Sequence, residues 1–182
     1  MKNHLRSCLL ALVMCANSAL AATIPVPLTQ TVVGGISQYS ASFGNTIMTA
    51  GMFTDTFQFT PSVPISTATA FLHSFTFIPT GAAISLITFT SATLSDGLNS
   101  YTLLNSSNTS ALSGGTIYSH FAQTANNLVA GPLSLTVNGT AGANTSYAGT
   151  ISISAVPEPG EWAMMIAGLG VVGLMVRRRR AN

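Results

Sequence analysis

Two aromatic segments each carry one titratable side chain that could do chemistry. In a β-strand, side chains two residues apart point to the same face. The first row is Phe53, Asp55, Phe57 and Phe59, and the second row is Phe71, His73, Phe75 and Phe77. A lone charge in an aromatic row is costly to bury, so each of the two polar residues needs a partner.

Asp55 and His73 are the natural partners for one another. If the two rows pair as antiparallel strands with a turn near residues 61–64, Asp55 lies opposite His73. We therefore expect a buried or half-buried hydrogen-bonded pair that fixes strand register, because a one-residue slip would separate the two. Catalysis by this pair is the alternative, although the sequence places no nucleophile or third group beside it.

The remaining titratable residues of the middle of the chain fit structural roles. Asp96-Gly97 is typical of a two-residue type I′ hairpin turn, and His120 lies in a segment that alternates as a strand. The histidines and aspartates do not have the spacing of a zinc or calcium site. We therefore expect no metal and no cofactor.

The elements that would position these residues are short alternating segments, separated by Gly, Asn, Asp and Pro, without a helical period. They predict an all-β domain at residues 31–155, a single β-sandwich of about 8–9 strands with a jelly roll as one option. The predicted strands are Ile36–Phe43, Gly51–Phe59, Ala70–Phe77, Ala83–Thr90, Ala92–Ser95, Leu98–Leu104, Gly115–Gln123, Pro132–Asn138 and Tyr147–Ala155.

The N-terminus has the pattern of a signal peptide at residues 1–21. A charged start is followed by an apolar stretch, and Ala19-Leu20-Ala21 is an A-x-A cleavage site. A lipoprotein cut before Cys15 is the alternative, but Met14 is too large for that site. Cleavage after Ala21 removes both cysteines and leaves residues 22–30 as an extended leader.

Charge is confined to the two ends of the chain. All six Lys and Arg lie there, and between residues 22 and 156 only Asp55 and Asp96 are charged. This argues against a nucleic-acid partner, because nothing in the body could neutralise phosphates.

The C-terminal residues 156–182 have three parts. A stiff Pro157-Glu158-Pro159 element precedes an uncharged apolar segment at 162–176 and an arginine run at 177–180. A helix over 162–176 would be about 22 Å long, short for a bilayer core of about 30 Å. Because interfacial Trp162 and snorkelling arginines can compensate, we predict a transmembrane helix there, with a plain membrane anchor as the alternative role.

This tail resembles the PEP-CTERM sorting signal of Gram-negative bacteria in its PEPxxWA variant. The residues that carry the resemblance are Pro157, Glu158, Pro159, Trp162, Ala163, Arg177, Arg178, Arg179 and Arg180. The resemblance implies that an exosortase-like membrane enzyme recognises an inner-membrane intermediate and removes the tail. It further implies a non-enzymatic protein of the outer surface or extracellular matrix, associated with exopolysaccharide or other envelope components in a biofilm.

The first aromatic row carries a second resemblance, and two alternative functions are also open. Phe53, Asp55 and Phe57 resemble the signature of the FxDxF family of PEP-CTERM proteins. One alternative function is a carbohydrate-binding module, which would need exposed tyrosine rings on which sugars stack. The tyrosines that could form such a platform are Tyr101, Tyr118 and Tyr147.

The other alternative is a glycan hydrolase, which would need two carboxylates flanking a cleft, and Asp55 and Asp96 are the candidates.

Overall fold

The computed structural model describes residues 20–156 and 159–180, which form ten strands and one helix. The strands are β1 Leu20–Pro27, β2 Thr29–Val33, β3 Ile36–Ile47, β4 Gly51–Pro79, β5 Ile87–Ser95, β6 Ser100–Thr102, β7 Leu104–Leu112, β8 Gly115–Gln123, β9 Asn127–Ala141 and β10 Thr145–Ala155, and the helix is α1 Pro159–Arg180. A β-rich fold is therefore confirmed. Ala19, Pro157 and Glu158 lie outside the described residues.

The strands are connected by hydrogen bonds into one sheet with the order β2-β3-β10-β4-β9-β5-β6. Strand β1 pairs with β4 in parallel, whereas β8 pairs with both β4 and β7. All pairs other than β1 with β4 are antiparallel. The described residues thus form one hydrogen-bonded sheet of ten strands.

The expected turn between the two aromatic rows is absent, because both rows belong to the long strand β4. At residues 61–64 the chain continues in extended form, and the register against β9 shifts between Phe59 and Val63 and again between Val63 and Ser66. Prolines are tolerated where a ladder is interrupted, since their missing N–H leaves no bond unmade there.

These register shifts reverse the face that β4 buries. In its first half Phe53 and Phe57 are buried, whereas in its second half Ala70 and Leu72 are buried. An extra residue in one strand has this effect because side chains alternate with period two. The first aromatic row therefore lies in the core, and the second row lies on the opposite face, where Phe75 and Phe77 are exposed.

The core forms between residues that are not paired with one another in the sheet. Phe43 of β3 packs against Phe57 of β4 with ring centroids 4.8 Å apart. Tyr147 of β10 stacks on Phe53 at 5.5 Å and meets the edge of Phe89 at 5.7 Å. Gly149 permits this close approach, since a Cβ there would lie 2.5 Å from the Phe43 ring and 2.6 Å from the Phe71 carbonyl oxygen.

The expected leader at residues 22–30 is part of the sheet. It contributes most of β1 and the start of β2, and the Leu28 N–H donates to the Thr60 carbonyl at 2.6 Å. The apolar side chains of this segment explain its pairing, because Val26 is buried in the core beside the first half of β4.

Helix α1 includes the segment at 162–176 for which a membrane span was predicted. In residues 20–156 and 159–180, however, no helix has both the length and the apolarity that crossing a bilayer requires. The prediction of a transmembrane helix is therefore wrong for the described chain. The uncharged part is only about 22 Å long, and the last turn of the helix consists of arginines.

Candidate functional site

The tail begins where the last strand is fixed to the sheet. The Val156 N–H donates to the Ile65 carbonyl oxygen of β4 at 2.9 Å, directly after β10 ends at Ala155. Helix α1 begins at Pro159. The sheet therefore holds the chain firmly up to the residue that precedes the Pro-Glu-Pro element.

Helix α1 is uncovered. Every α1 side chain that the structure describes is exposed, including Ala163 and the apolar Met164, Ile166 and Leu169. Of the predicted sorting residues, Pro159, Trp162, Ala163 and the arginines at 177–180 belong to α1. The described side chains of the helix are thus accessible without unfolding of the β-rich domain.

These features define a class of protein, a β-rich domain with an accessible apolar and basic tail. The family model of the PEP-CTERM protein-sorting motif matches residues 155–180 of this chain. Comparison with curated proteins and with solved structures gives no match. The motif implies an exported protein that is processed at the membrane, with an exosortase as the processing partner.

Asp55 is fully buried, and it does not pair with His73. Its Oδ2 atom accepts hydrogen bonds from the Tyr147 hydroxyl and from the Asn45 side-chain amide, the latter at 2.9 Å. The predicted pair with His73 is wrong because β4 does not turn back on itself. Asp55 has Val137 and Ala22 as its strand neighbours.

Tyr147 and Asn45 are the partners that sequence reasoning missed. They face each other across β10 and β3, and the pair points its two donors at the carboxylate of β4. Burial, followed by the hydrogen bond to Asp55 and its negative charge, raises the pKa of Tyr147 far above the usual tyrosine value. Tyr147 therefore remains a proton donor, and the trio is a structural network that joins three strands.

His73 lies in an aromatic face on the outer side of the sheet. This aromatic face consists of Phe71, His73, Phe75 and Phe77 of β4 and Phe121 of β8. The His73 ring is stacked on Phe71 at 5.5 Å and tilted against Phe75 at 5.2 Å. Its Nδ1 atom is buried without a hydrogen-bond partner in the described part of the chain.

His120 lines a small polar cavity of about 210 Å³ between β5, β7 and β8. The lining residues are Thr88, Phe89, Asn105, Ser106, Ser107, His120 and Phe121. Asn105 holds one wall in place, since its side-chain amide donates to the carbonyl of Phe89 at 3.3 Å and to that of Thr90 at 3.2 Å. A second cavity of about 380 Å³ lies beside β1 and β3, and neither of these two cavities is lined by a carboxylate.

The residues that the structure describes contain no cluster of three His, Cys, Asp or Glu side chains that could hold a metal ion. The exposed tyrosine platform that a carbohydrate-binding module would need is not formed by Tyr101, Tyr118 and Tyr147. Tyr147 is only 4% exposed, and Tyr101 is half-buried with its hydroxyl donating to the Leu128 carbonyl. Tyr118 is half-buried in β8, opposite Thr76.

Asp96 organises a hairpin loop, as expected, but the loop has a different length. Strand pairing ends at Ser95 with Ser100, so residues 96–99 connect β5 to β6 and the two-residue type I′ turn is wrong. The Asp96 carboxylate explains the longer loop. Its Oδ1 accepts the N–H of Leu98 at 2.9 Å and that of Asn99 at 2.6 Å. These bonds, the one to Asn99 above all, lower the pKa of Asp96 despite its burial.

Proposed function

We propose that this protein is a non-enzymatic component of the outer cell surface or extracellular matrix of a Gram-negative bacterium, delivered there by C-terminal processing. The observation that carries the proposal is the sorting motif at residues 155–180 on a helix whose described side chains are exposed. A signal peptide at residues 1–21 would start export. An exosortase-like enzyme would then cut the tail and release the β-rich domain.

The chemistry of the domain supports a role in the matrix. Between residues 22 and 156 the only formal charges are Asp55 and Asp96, and both are buried within hydrogen-bonded networks. The outer surface therefore carries no fixed charge that a polyanionic matrix would repel. Exposed Ser, Thr and Asn side chains suit contact with hydroxyl-rich exopolysaccharide, which is the partner we propose for the mature domain.

The core contacts also support a finer description of the fold. Aromatic contacts from β3 and β10 onto the first half of β4 and onto β5 bring two parts of one sheet face to face. We propose a β-sandwich whose two layers share the bent strand β4. The FxDxF resemblance fits this arrangement, because Phe53 and Phe57 enclose the buried Asp55.

Substitution of the Pro-Glu-Pro element tests the proposed function. In the native host we expect Pro157→Ala/Pro159→Ala to leave most of the chain cell-bound and uncut, while the wild type is recovered outside the cells. The reason is that the stiff spacer would no longer present the cut site. Pro132→Ala, at an exposed position of β9, is the matched control and should be processed normally. Equal processing of the double variant and the wild type would refute the proposed role of the motif.

Glycan binding by the aromatic face is a second candidate function. Phe75 is 60% exposed and Phe77 is 53% exposed, on the same side of one strand. Residues two apart in a strand are separated by about 7 Å. Because no charge lies on the domain surface, the ligand favoured is a neutral glycan, whose sugar rings can stack on aromatic rings.

Removal of the exposed rings tests this second candidate. Phe75→Ala/Phe77→Ala is expected to weaken binding to the host's neutral polysaccharide at least about tenfold, equivalent to about 1.4 kcal/mol. Affinity electrophoresis of the full chain in gels containing that polysaccharide measures the change. Ile65→Ala/Leu128→Ala removes two similarly exposed apolar side chains and serves as control. Unchanged migration of the aromatic variant would exclude the aromatic face as the binding surface.

A further inference from the structure

Strands β2 and β7 each have an open edge and are exposed along their whole length. Strand β2 pairs only with β3, and β7 pairs only with β8 among the described strands. Every residue of both strands is exposed. Each strand therefore presents a row of unpaired backbone N–H and C=O groups on its free side. We call these rows the β2 edge and the β7 edge.

The two edges belong to one antiparallel run. The hydrogen-bonded path β2-β3-β10-β4-β8-β7 consists of antiparallel steps throughout. Strands β10 and β8 flank β4 on its two sides at residues 71–73. Because the path has an odd number of steps, β2 and β7 point in opposite directions. A second copy placed beside the first by translation would therefore set its β2 antiparallel to the first copy's β7.

Neither edge carries a feature that prevents such pairing. Natural sheets protect edges with charged side chains, proline or bulges. Strands β2 and β7 contain neither charge nor proline, and their pairing with the neighbouring strand is regular throughout. Asn105 ties only the beginning of β7 to β5, which leaves residues 106–112 free. The five residues of β2 can pair along their whole length within this free segment.

Charge over the whole domain points to a second copy as the occupant. Because Asp55 and Asp96 are buried, two copies approach without net repulsion between their surfaces. We propose that the β7 edge of one copy pairs with the β2 edge of the next. Such a contact is heterologous, so that it extends into open chains of molecules instead of closing as a dimer.

A charge exchange across the two edges tests this proposal. Thr31 at the centre of β2 and Asn108 at the centre of β7 are exposed, and both point to the outer face, with Gln38 and Ser119 as neighbours. Thr31→Lys/Asn108→Lys places like charges at every contact, whereas Thr31→Glu/Asn108→Lys places opposite charges there. Thr150→Lys/Ser152→Lys adds the same charge on the exposed face of the inner strand β10 and is the matched control.

The full chain is studied by light scattering in low salt, with a non-ionic detergent to cover α1. We expect the wild type and the β10 control to form concentration-dependent chains, the two-lysine edge variant to have the mass of one molecule, and the Glu/Lys variant to assemble at least tenfold more tightly than the two-lysine variant. A monomeric wild type would overturn the proposal. The proposal would also be overturned if the two-lysine edge variant assembled as well as the wild type. It would likewise be overturned if the Glu/Lys variant assembled no better than the two-lysine variant.

Discussion

Replacement of Tyr147 by Phe is expected to lower the free energy of unfolding by about 3 kcal/mol, the upper part of the range for a hydrogen bond to a charged group. The hydroxyl is one of two donors to the buried Asp55 carboxylate, and Asn45 alone cannot replace it. The ring itself remains and keeps its contacts with Phe53 and Phe89. The loss is a large fraction of the stability of a typical domain, about 5–15 kcal/mol. Urea unfolding followed by circular dichroism measures it.

Two controls separate this network from a general effect of hydroxyl removal. Tyr101→Phe deletes an exposed hydrogen bond to a backbone carbonyl and should cost only about 1 kcal/mol. In a double-mutant cycle, the effects of Tyr147→Phe and Asp55→Asn on the free energy of unfolding should be coupled, because the two side chains are in contact. Asp55→Asn combined with His73→Gln should be additive, since the structure gives them different neighbours. Coupling with His73 instead of Tyr147 would contradict the described register.

The same network has a pH dependence of known sign. The folded-state pKa of Tyr147 is raised by burial and by Asp55, so the folded chain holds this proton when the unfolded chain has released it. The contribution to stability is complete below the usual tyrosine pKa of about 10 and is lost as the pH rises above that value. The difference between the wild type and Tyr147→Phe should therefore shrink in alkaline solution.

Asp96→Asn is expected to destabilise the domain by about 2 kcal/mol at neutral pH, from the loss of a charge that accepts several hydrogen bonds. The carboxylate holds the N–H groups of Leu98 and Asn99, and its Oδ2 atom reaches the Ala130 N–H of β9 at 3.4 Å. The substitution thus loosens both the loop and its attachment to a core strand. Urea unfolding at several pH values measures the effect.

The destabilisation caused by Asp96→Asn should vanish in acid. Because the folded-state pKa of Asp96 is lowered, its stabilisation is present above the usual aspartate pKa of about 3.9 and is lost as the pH falls through the folded-state value. Ser95→Ala removes neutral bonds from the same loop, and its cost should stay constant with pH. A difference between Asp96→Asn and the wild type that persists undiminished at pH values well below the folded pKa would show that the charge is not the cause.

Local patterns predicted much of the structure. The predicted strand Tyr147–Ala155 lies within β10, and the hairpin after Ser95 was found from Asp96 and Gly97. The sorting signal could be predicted from the sequence because its three parts are adjacent in the chain and their chemistry does not depend on the fold. The family model confirms that interpretation at residues 155–180.

The errors came from long-range pairing. Residues 61–64 read as a turn, and only the contacts with β9 explain why the strand passes through them with shifted register. That shift moved His73 away from Asp55 and exposed the second aromatic row. Tyr147 lies 92 residues from Asp55 in the chain, and no local signal connects the two. Residues 105–112 were not predicted as a strand, because nothing in their polar sequence shows that β8 supplies their pairing.

The C-terminal residue of the protein recovered outside native cells tests the central claim most directly. Tandem mass spectrometry of the released form should find a chain that ends before α1 and yields no peptide from residues 162–182. The cell-bound precursor should still carry the arginines at 177–180. A released protein that ends at Asn182 would contradict the account, because the tail would then have travelled with the domain instead of being removed during sorting.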